Sequence, residues 1–565
     1  MPLSRSRSGA DVLLLTVRFL KLGNNKVRLV ASLALAVAAL ASYAAAPAQG
    51  RALAEFPPGY EGYHDYAEMM ADIDAEIAAH PNIISKRSIG QSYEGRTIWV
   101  IKISAHVGID EAEPEVLFEA MHHAREHLAG EEALHLIHLF VDNYKQPTPL
   151  GQRVTALVKS REIWIVPMVN PDGAEYDISS GTGFQNWRRN RQPIPGSSQI
   201  GVDLNRNWGY MWGCCGGSSG TPGSTTYRGP SAWFAPEVRA LRDFVLSRVI
   251  NGRQQIREAI SWHTFNEQIM WPYGYTRADL PRTMTAEDLA AFRAIGTSMA
   301  SRNGYTAQQM SDLYVLDGDA TDWLYGAQRI FAFTIEMYPT DNSHVGGFYP
   351  PDSVIDRETT RNDDAVLYFV EQADCPYRAA DPATTDCGPL YDDFEMDRGW
   401  KINAAGTDTA THGAFQRAVP AQTSDASGVK QQAWGYSGQA ALVTGAAAGK
   451  KASTNDLDGG TTSAQSPTIK LGAAGSTGWT LDLRYSFAHD ASSSTDDYLR
   501  VLVNGSQVFI DRGDASNRNA AWKEATVNLD AYAGQKVRLT VQAVDGAADS
   551  LVEAAVDDVR VYQAH

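Results

Sequence analysis

The stretch Glu115-Val116-Leu117-Phe118-Glu119-Ala120-Met121 runs without a break into His122-His123-Ala124-Arg125-Glu126. A short, mostly apolar run of this kind reads as a buried strand. Here the strand ends in an imidazole and, three residues further on, a carboxylate, so both can point at one metal ion from the strand's end. Such strand ends gather at one edge of an open α/β sheet, where ligands bind. A hydrolytic zinc site needs three protein ligands and one open position, and the third ligand usually comes from far along the chain. His263 closes a second strand-like run, Ala259-Ile260-Ser261-Trp262-His263, and supplies that third donor. Any one of the 13 histidines taken alone is an ordinary polar residue; it is the company these keep that gives them a role.

Periodicity fills in the rest of this region. Tyr66, Met69, Met70, Ile73 and Ile77 recur at helical spacing, and Thr97–Ile103 is a strand pattern. Further helices are predicted near 128–144, 236–249, 286–301 and 351–372, with strands at 163–169 and 331–336. Helices alternating with apolar strands imply an α/β fold, with a mixed, mostly buried sheet flanked by helices.

Beyond Glu126 the chain carries, in order, Asn170-Pro171-Asp172-Gly173, Trp187-Arg188-Arg189, Gly201 to Trp208 (GVDLNRNW), Tyr227-Arg228-Gly229-Pro230, His263, Leu313-Tyr314, Thr321-Asp322-Trp323 and Phe331 to Glu336 (FAFTIE). In this order and at these separations the set resembles the zinc metallocarboxypeptidases of the carboxypeptidase A/B family, closest to the secreted bacterial carboxypeptidase T group. The resemblance spans roughly 55–375.

It implies a zinc-dependent exopeptidase that removes C-terminal residues from peptides and proteins, with His123, Glu126 and His263 as ligands to one catalytic Zn2+. Zinc brings the pKa of a bound water to about 7, and Glu336 matches the general base that activates it. Arg188 matches the cation that faces negative charge developing on the peptide carbonyl. Arg206 matches the bidentate partner of the substrate's terminal carboxylate, with Asn205 and Tyr314 as further donors. Arg125 matches a contact with substrate outside the scissile bond. Asp203 matches the carboxylate that fixes a ligand histidine's tautomer. Asp319 and Thr321 align with the base of the pocket for the terminal side chain. An acid at Asp319 resembles the carboxypeptidase T arrangement and implies broad specificity, apolar with basic termini tolerated.

Two rivals use the same residues. His123-Ala124-Arg125-Glu126-His127 also fits the inverzincin pattern H-x-x-E-H, which requires all five residues in one helix and is opposed by the strand entering His123. A peptidoglycan-peptide amidase on the same fold would keep the zinc residues but vary the carboxylate-binding set; Arg188, Asn205, Arg206 and Tyr314 together favour the exopeptidase.

At 565 residues the chain has room for more than one core. Its net charge of -17 opposes nucleic-acid binding. Basic residues from Arg5 to Arg28, the apolar run Leu29 to Ala46 and the small residues Ala46-Pro47-Ala48 form a signal peptide over 1–48. The protein is therefore expected to be secreted, with no stable membrane insertion once this segment is removed. A catalytic domain over 55–375 follows with no room for a folded prosegment. Four cysteines in an exported chain point to disulfides. All three connectivities stay open, with adjacent Cys214–Cys215 pairing disfavoured by backbone strain.

After Asp374 the character changes. Residues 376–390 are Pro- and Gly-containing and read as a linker; 391–565 are rich in Gly, Ala, Ser and Thr, with alternating runs. Val501-Leu502-Val503 and Gln507-Val508-Phe509 flank Asn504-Gly505, a hairpin signal. The prediction is an all-β sandwich whose ends resemble jelly-roll modules of secreted bacterial proteases. Two roles are open for it. One is binding to glycan, cell surface or protein substrate, with Asp392, Asp393, Asp557 and Asp558 around a structural Ca2+; the other is an appendage removed during maturation.

Overall fold

In the computed structural model of the chain, residues 55–563 are described, apart from 112, 251–252, 343–346, 383, 385, 396, 448–450, 474–477 and 547–549. The expected export segment, 1–48, lies outside the described residues. Eight strands form one mixed sheet: β1 (Ile84–Gln91), β2 (Thr97–Ile103), β3 (Glu115–Ala120), β4 (Glu162–Val166), β5 (Ile256–Thr264), β6 (Gln268–Trp271), β7 (Thr306–Gln309) and β8 (Phe331–Met337). Their spatial order is β1-β2-β4-β3-β5-β8-β6-β7. The central strands β4, β3, β5 and β8 are parallel, while β2 and β6 flank them antiparallel. From β3 the chain moves to β4 on one side, then returns to β5 on the other. The connections thus diverge outside the carboxyl ends of β3 and β5, the place where open sheets bind ligands.

Every residue of β3 and β4 is buried, because helices cover both faces. Side chains alternate between faces along each strand. Val116 and Phe118 of β3 join Ile101, Ile163 and Ile165 against helices α1 (Tyr66–Ala79) and α2 (His127–Asp142). Leu117 joins Val100, Trp164 and Val166 against α3 (Pro236–Ser247) on the other face. α1 starts at a capping box: Asp65 accepts from the Glu68 amide and Glu68 accepts from the Asp65 amide. The strand expected over 163–169 stops at Val166, because Pro167 has no amide hydrogen to continue the ladder. The helix expected over 351–372 is broken into a 3-10 turn, Asp352–Val354, and helices Ile355–Thr360 and Asp363–Gln372. Asn362 sits at the second break, its Nδ2 donating to Glu358 O and to the buried Glu132 carboxylate, the local side-chain bonding that competes with helix.

The C-terminal region is all-β. One sheet is built on the long antiparallel pair Trp479–His489 and Val552–Gln563, and a second on Gly460–Gln465, Leu539–Asp545 and Tyr498–Val503. They share one apolar core that includes Phe487, Leu499, Val541 and Val556. Asn504 and Gly505 make the expected two-residue turn, both at positive φ (48° and 87°).

The disulfides are Cys214–Cys215 and Cys375–Cys387. The first corrects the expectation that strain would prevent adjacent pairing. The stretch read as a linker begins with a 3-10 turn, Pro376–Ala379, is pinned by Cys375–Cys387, and leads into Leu390–Asp392, which pairs with Val552–Gln563. Arg329, from the mixed-sheet region, lies 3.8 Å from Asp393 and 3.7 Å from Glu395 of the all-β region. Arg560 pairs with Asp386 at 2.8 Å, and Arg282 covers Trp434.

The calcium expectation is not supported. Asp392 accepts from Phe394 N and Trp400 Nε1, Asp393 from Glu395 N, Asp557 from the amides of Tyr436 and Ser437, and Asp558 from Ser437 Oγ. Protein donors take the oxygens that a cation would need, and none of the four belongs to a metal-donor group among the described residues.

Candidate metal centre

His123, Ala124, Arg125 and Glu126 form the turn between β3 and α2, so the end of one buried strand delivers both an imidazole and a carboxylate. His263 is the penultimate residue of β5, and Glu336 of β8 is its register partner across the parallel pair. The Nδ1 atoms of His123 and His263 stand 3.0 Å apart, and each lies 2.8 Å from one oxygen of Glu126. All three side chains are buried. Three lone-pair donors crowded this closely are mutually satisfied by a divalent cation. Four-coordinate zinc, with bonds of about 2.0–2.1 Å, spaces its ligand atoms about 3.3 Å apart, so the donor set fits.

The opposite nitrogen of His123, Nε2, meets Asp203 Oδ1 at 3.2 Å, which fixes the tautomer with Nδ1 free for a cation. The other oxygen of Asp203 receives Nε and Nη2 of Arg188, both at 3.0 Å. Burial raises the Asp203 pKa, but Arg188 and His123 outweigh it and hold the acid well below its usual range. Burial likewise opposes ionisation of Glu126, and its two imidazole neighbours overcome it. For Glu336, burial and the Glu126 charge push the pKa well up, against the pull of Arg188 and Arg206. Its Oε2 meets no hydrogen-bond donor.

These residues open on a cavity of about 220 Å3 whose walls include His123, Glu126, Arg188, Asn205, Arg206, Tyr314 and Glu336. Arg206 is held by the carbonyls of Asn205 (2.6 Å) and Gly217 (3.3 Å). Asn205 Oδ1 accepts from Ala320 N, which turns its Nδ2 toward His263. Tyr314 stands at the rim, 45% exposed. Arg125 does not line the cavity itself but stacks 3.8 Å over the ring of Phe348, which does, and bonds to Asn186.

Asp319 and Thr321 sit behind the wall. Asp319 caps the helix Ala320–Gln328 through the Asp322 amide, its Oδ2 has no hydrogen-bond donor, and burial pushes its carboxyl up to about 6. Thr321 bonds to Thr334, which does line the cavity. The wall itself adds Leu313, already noted beside Tyr314, and Met270, Met310 and Leu316, which the sequence reading did not pick out. Met310, Leu313 and Leu316 recur every third residue in one short segment, a spacing that could have marked them, whereas Met270 lies far off in the chain. His127 is the first residue of α2 and pairs with Asp177 at 3.0 Å, outside the His123–Glu126–His263 group. The single helix required by an H-x-x-E-H site is absent, since the preceding four residues are a turn.

A family model described as zinc carboxypeptidase matches residues 69–365, more than half of the chain. A zinc carboxypeptidase of Saccharothrix mutabilis subsp. capreolus is 48% identical over 325 residues, covering 57% of this chain and 72% of that one. Carboxypeptidase A1 of Rattus norvegicus is 32% identical over 311 residues, covering 54% of this chain and 69% of that one. The crystal structure of thrombin activatable fibrinolysis inhibitor is similar at 27% identity and a TM-score of 0.49, covering 55% of this chain and 74% of that one.

Proposed function

The chain belongs to the zinc carboxypeptidase family of hydrolases, and we propose that it is a secreted exopeptidase that releases C-terminal residues, apolar ones preferentially, from peptides and proteins. The observation that carries this is the convergence of His123, Glu126 and His263 on one point, with Glu336, Arg188 and Arg206 on the walls of the same cavity. His123, Glu126 and His263 would hold Zn2+, which supplies Lewis-acid polarisation and a water acidic enough to attack at neutral pH.

The remaining steps belong to protein side chains. Arg206, steadied by two backbone carbonyls, offers the guanidinium fork that pairs with a terminal carboxylate, with Asn205 and Tyr314 completing its surroundings. Anchoring that carboxylate places the last peptide bond, and no other, beside Glu336. Glu336 takes the proton of the attacking water and returns it to the leaving amine. Arg188, oriented by Asp203, faces the carbonyl oxygen where negative charge develops, so it stabilises the transition state more than the ground state. Arg125 contacts the chain further from its end.

The thioether and leucine side chains on the wall favour apolar terminal residues, and Asp319, buried at the N-cap of the helix that carries Thr321, provides an acid for basic ones. Export is supported by the basic, then apolar, then small-residue order of 1–48 and by pairing of all four cysteines. Among the described residues no helix is long and apolar enough to cross a membrane. The all-β region is proposed to hold the enzyme on glycan, cell surface or protein substrate; retention of the whole chain on cell-wall or polysaccharide supports tests that.

The decisive assay uses blocked dipeptides differing only in the last residue, alongside the same peptides amidated at the C-terminus and a peptidoglycan peptide. Release of free terminal amino acid, abolished by chelation and restored by Zn2+, is expected only where the terminal carboxylate is free. Cleavage of the cell-wall peptide alone would assign the amidase activity instead.

A further inference from the structure

Away from the active-site cavity, α1 and α2 end side by side in a way that local electrostatics disfavours. The C-terminal end of a helix carries partial negative charge and is stabilised by Lys or Arg. Neither helix has a basic residue in its last turn. Instead α1 carries Glu76 in that turn and α2 closes on Asp142.

His138 stands between these acids. Its Nδ1 lies 3.4 Å from Asp142 Oδ2 and 3.8 Å from Glu76 Oε1, and its Nε2 meets Asp72 Oδ1 at 2.9 Å. His80, the C-cap of α1, brings Nε2 to 3.8 Å from the second oxygen of Glu76. That oxygen is sealed from solvent and has no hydrogen-bond donor. Three carboxylates therefore surround one imidazole, two of them at helix ends that already carry negative charge, and among the described residues no lysine or arginine pairs with these acids.

We propose that Glu76, His138 and Asp142 bind a second divalent transition-metal ion. Their donor atoms all lie within 4.8 Å of one another. A hydrogen bond from His138 Nε2 to Asp72 leaves the Nδ1 lone pair facing the two acids, the same outer-carboxylate arrangement that Asp203 provides for His123. One imidazole and two carboxylates form a mixed nitrogen and oxygen set suited to Zn2+ and its first-row neighbours. An ion there ties the end of α1 to the end of α2, whose opposite end begins immediately after the Glu126 ligand. It acts on stability and leaves the chemistry to the other site.

Metal content after equilibration with Zn2+ and gel filtration tests this on the full chain. Wild type is expected to retain two equivalents, and His138→Ala and Glu76→Gln one each, with peptidase activity unchanged in both. Added Zn2+ beyond the first equivalent should raise the unfolding midpoint of wild type but not of His138→Ala. A single equivalent in wild type would overturn the proposal and leave His138 as an ordinary ion-pair partner. A second equivalent that persists in both variants would also overturn it, by placing the extra ion elsewhere.

Discussion

Replacing Asp203 by Asn preserves shape while removing the charge that serves two neighbours at once. In the wild type, Oδ1 meets His123 Nε2 at 3.2 Å and Oδ2 takes two guanidinium nitrogens of Arg188 at 3.0 Å. The amide can accept on one side only and presents N–H groups on the other, so one partner must face a donor. Outer carboxylates on ligand histidines contribute about 10- to 100-fold to metal affinity, which corresponds to about 1.4–2.7 kcal/mol. A second loss adds to this, because Arg188 loses its hydrogen-bonded counter-charge and is left with Glu126 at 3.8 Å. Competition with a chelator of known affinity should show the Zn2+ dissociation constant of Asp203→Asn rising within that range. kcat/KM should stay depressed even at saturating Zn2+, since the guanidinium has lost its anchor. Wild-type zinc affinity together with wild-type kcat/KM at saturation would refute the role given to Asp203.

Glu336→Gln removes the proton acceptor without touching the ligand set, so kcat should fall by about 10^2- to 10^4-fold with KM and zinc content nearly unchanged; steady-state kinetics with metal analysis checks both. Arg206→Lys replaces a fork by a point charge, and loss of a charged hydrogen bond lowers kcat/KM by about 10- to 150-fold. That loss should appear mainly in KM and should vanish for C-terminally amidated analogues. The raised pKa of Asp319 gives a pH dependence of selectivity: the acid is neutral below about 6 and ionised above it. The kcat/KM ratio of Lys- to Leu-terminated substrates should therefore climb as pH rises through that value, and Asp319→Asn, which keeps the helix cap, should flatten the climb. A ratio already flat in the wild type would remove Asp319 from specificity.

The parts of the site legible in the sequence are those where one local pattern carries the information. An apolar run ending in His123 and Glu126, and another ending in His263, already place donors at strand ends, and burial of the strands follows from the same run. The side-by-side register of Glu336 with His263 could not be read that way, since it depends on which strands are neighbours. The apolar wall was hidden for a related reason: Met270 meets Met310 and Leu316 only in space. Asp319 reads as a pocket residue, and its Oδ1 also caps a helix, a local role that the resemblance to a pocket position leaves out. At Asn362 the apolar spacing continued while a side-chain hydrogen bond broke the helix, so periodicity overran a real boundary.

The Cys375–Cys387 bridge spans nearly the whole stretch between the two halves of the molecule. A proteolytic nick anywhere between those cysteines would leave the fragments covalently tethered, and they would separate on a gel only after reduction. Beyond Cys387, Gly388 already packs so closely on Val561 that a side chain would strike its carbonyl, and Leu390 begins the strand pairing. Shedding of the C-terminal half thus needs a reductant, a second cut or local unfolding, and a nicked preparation should keep its full mass under non-reducing conditions.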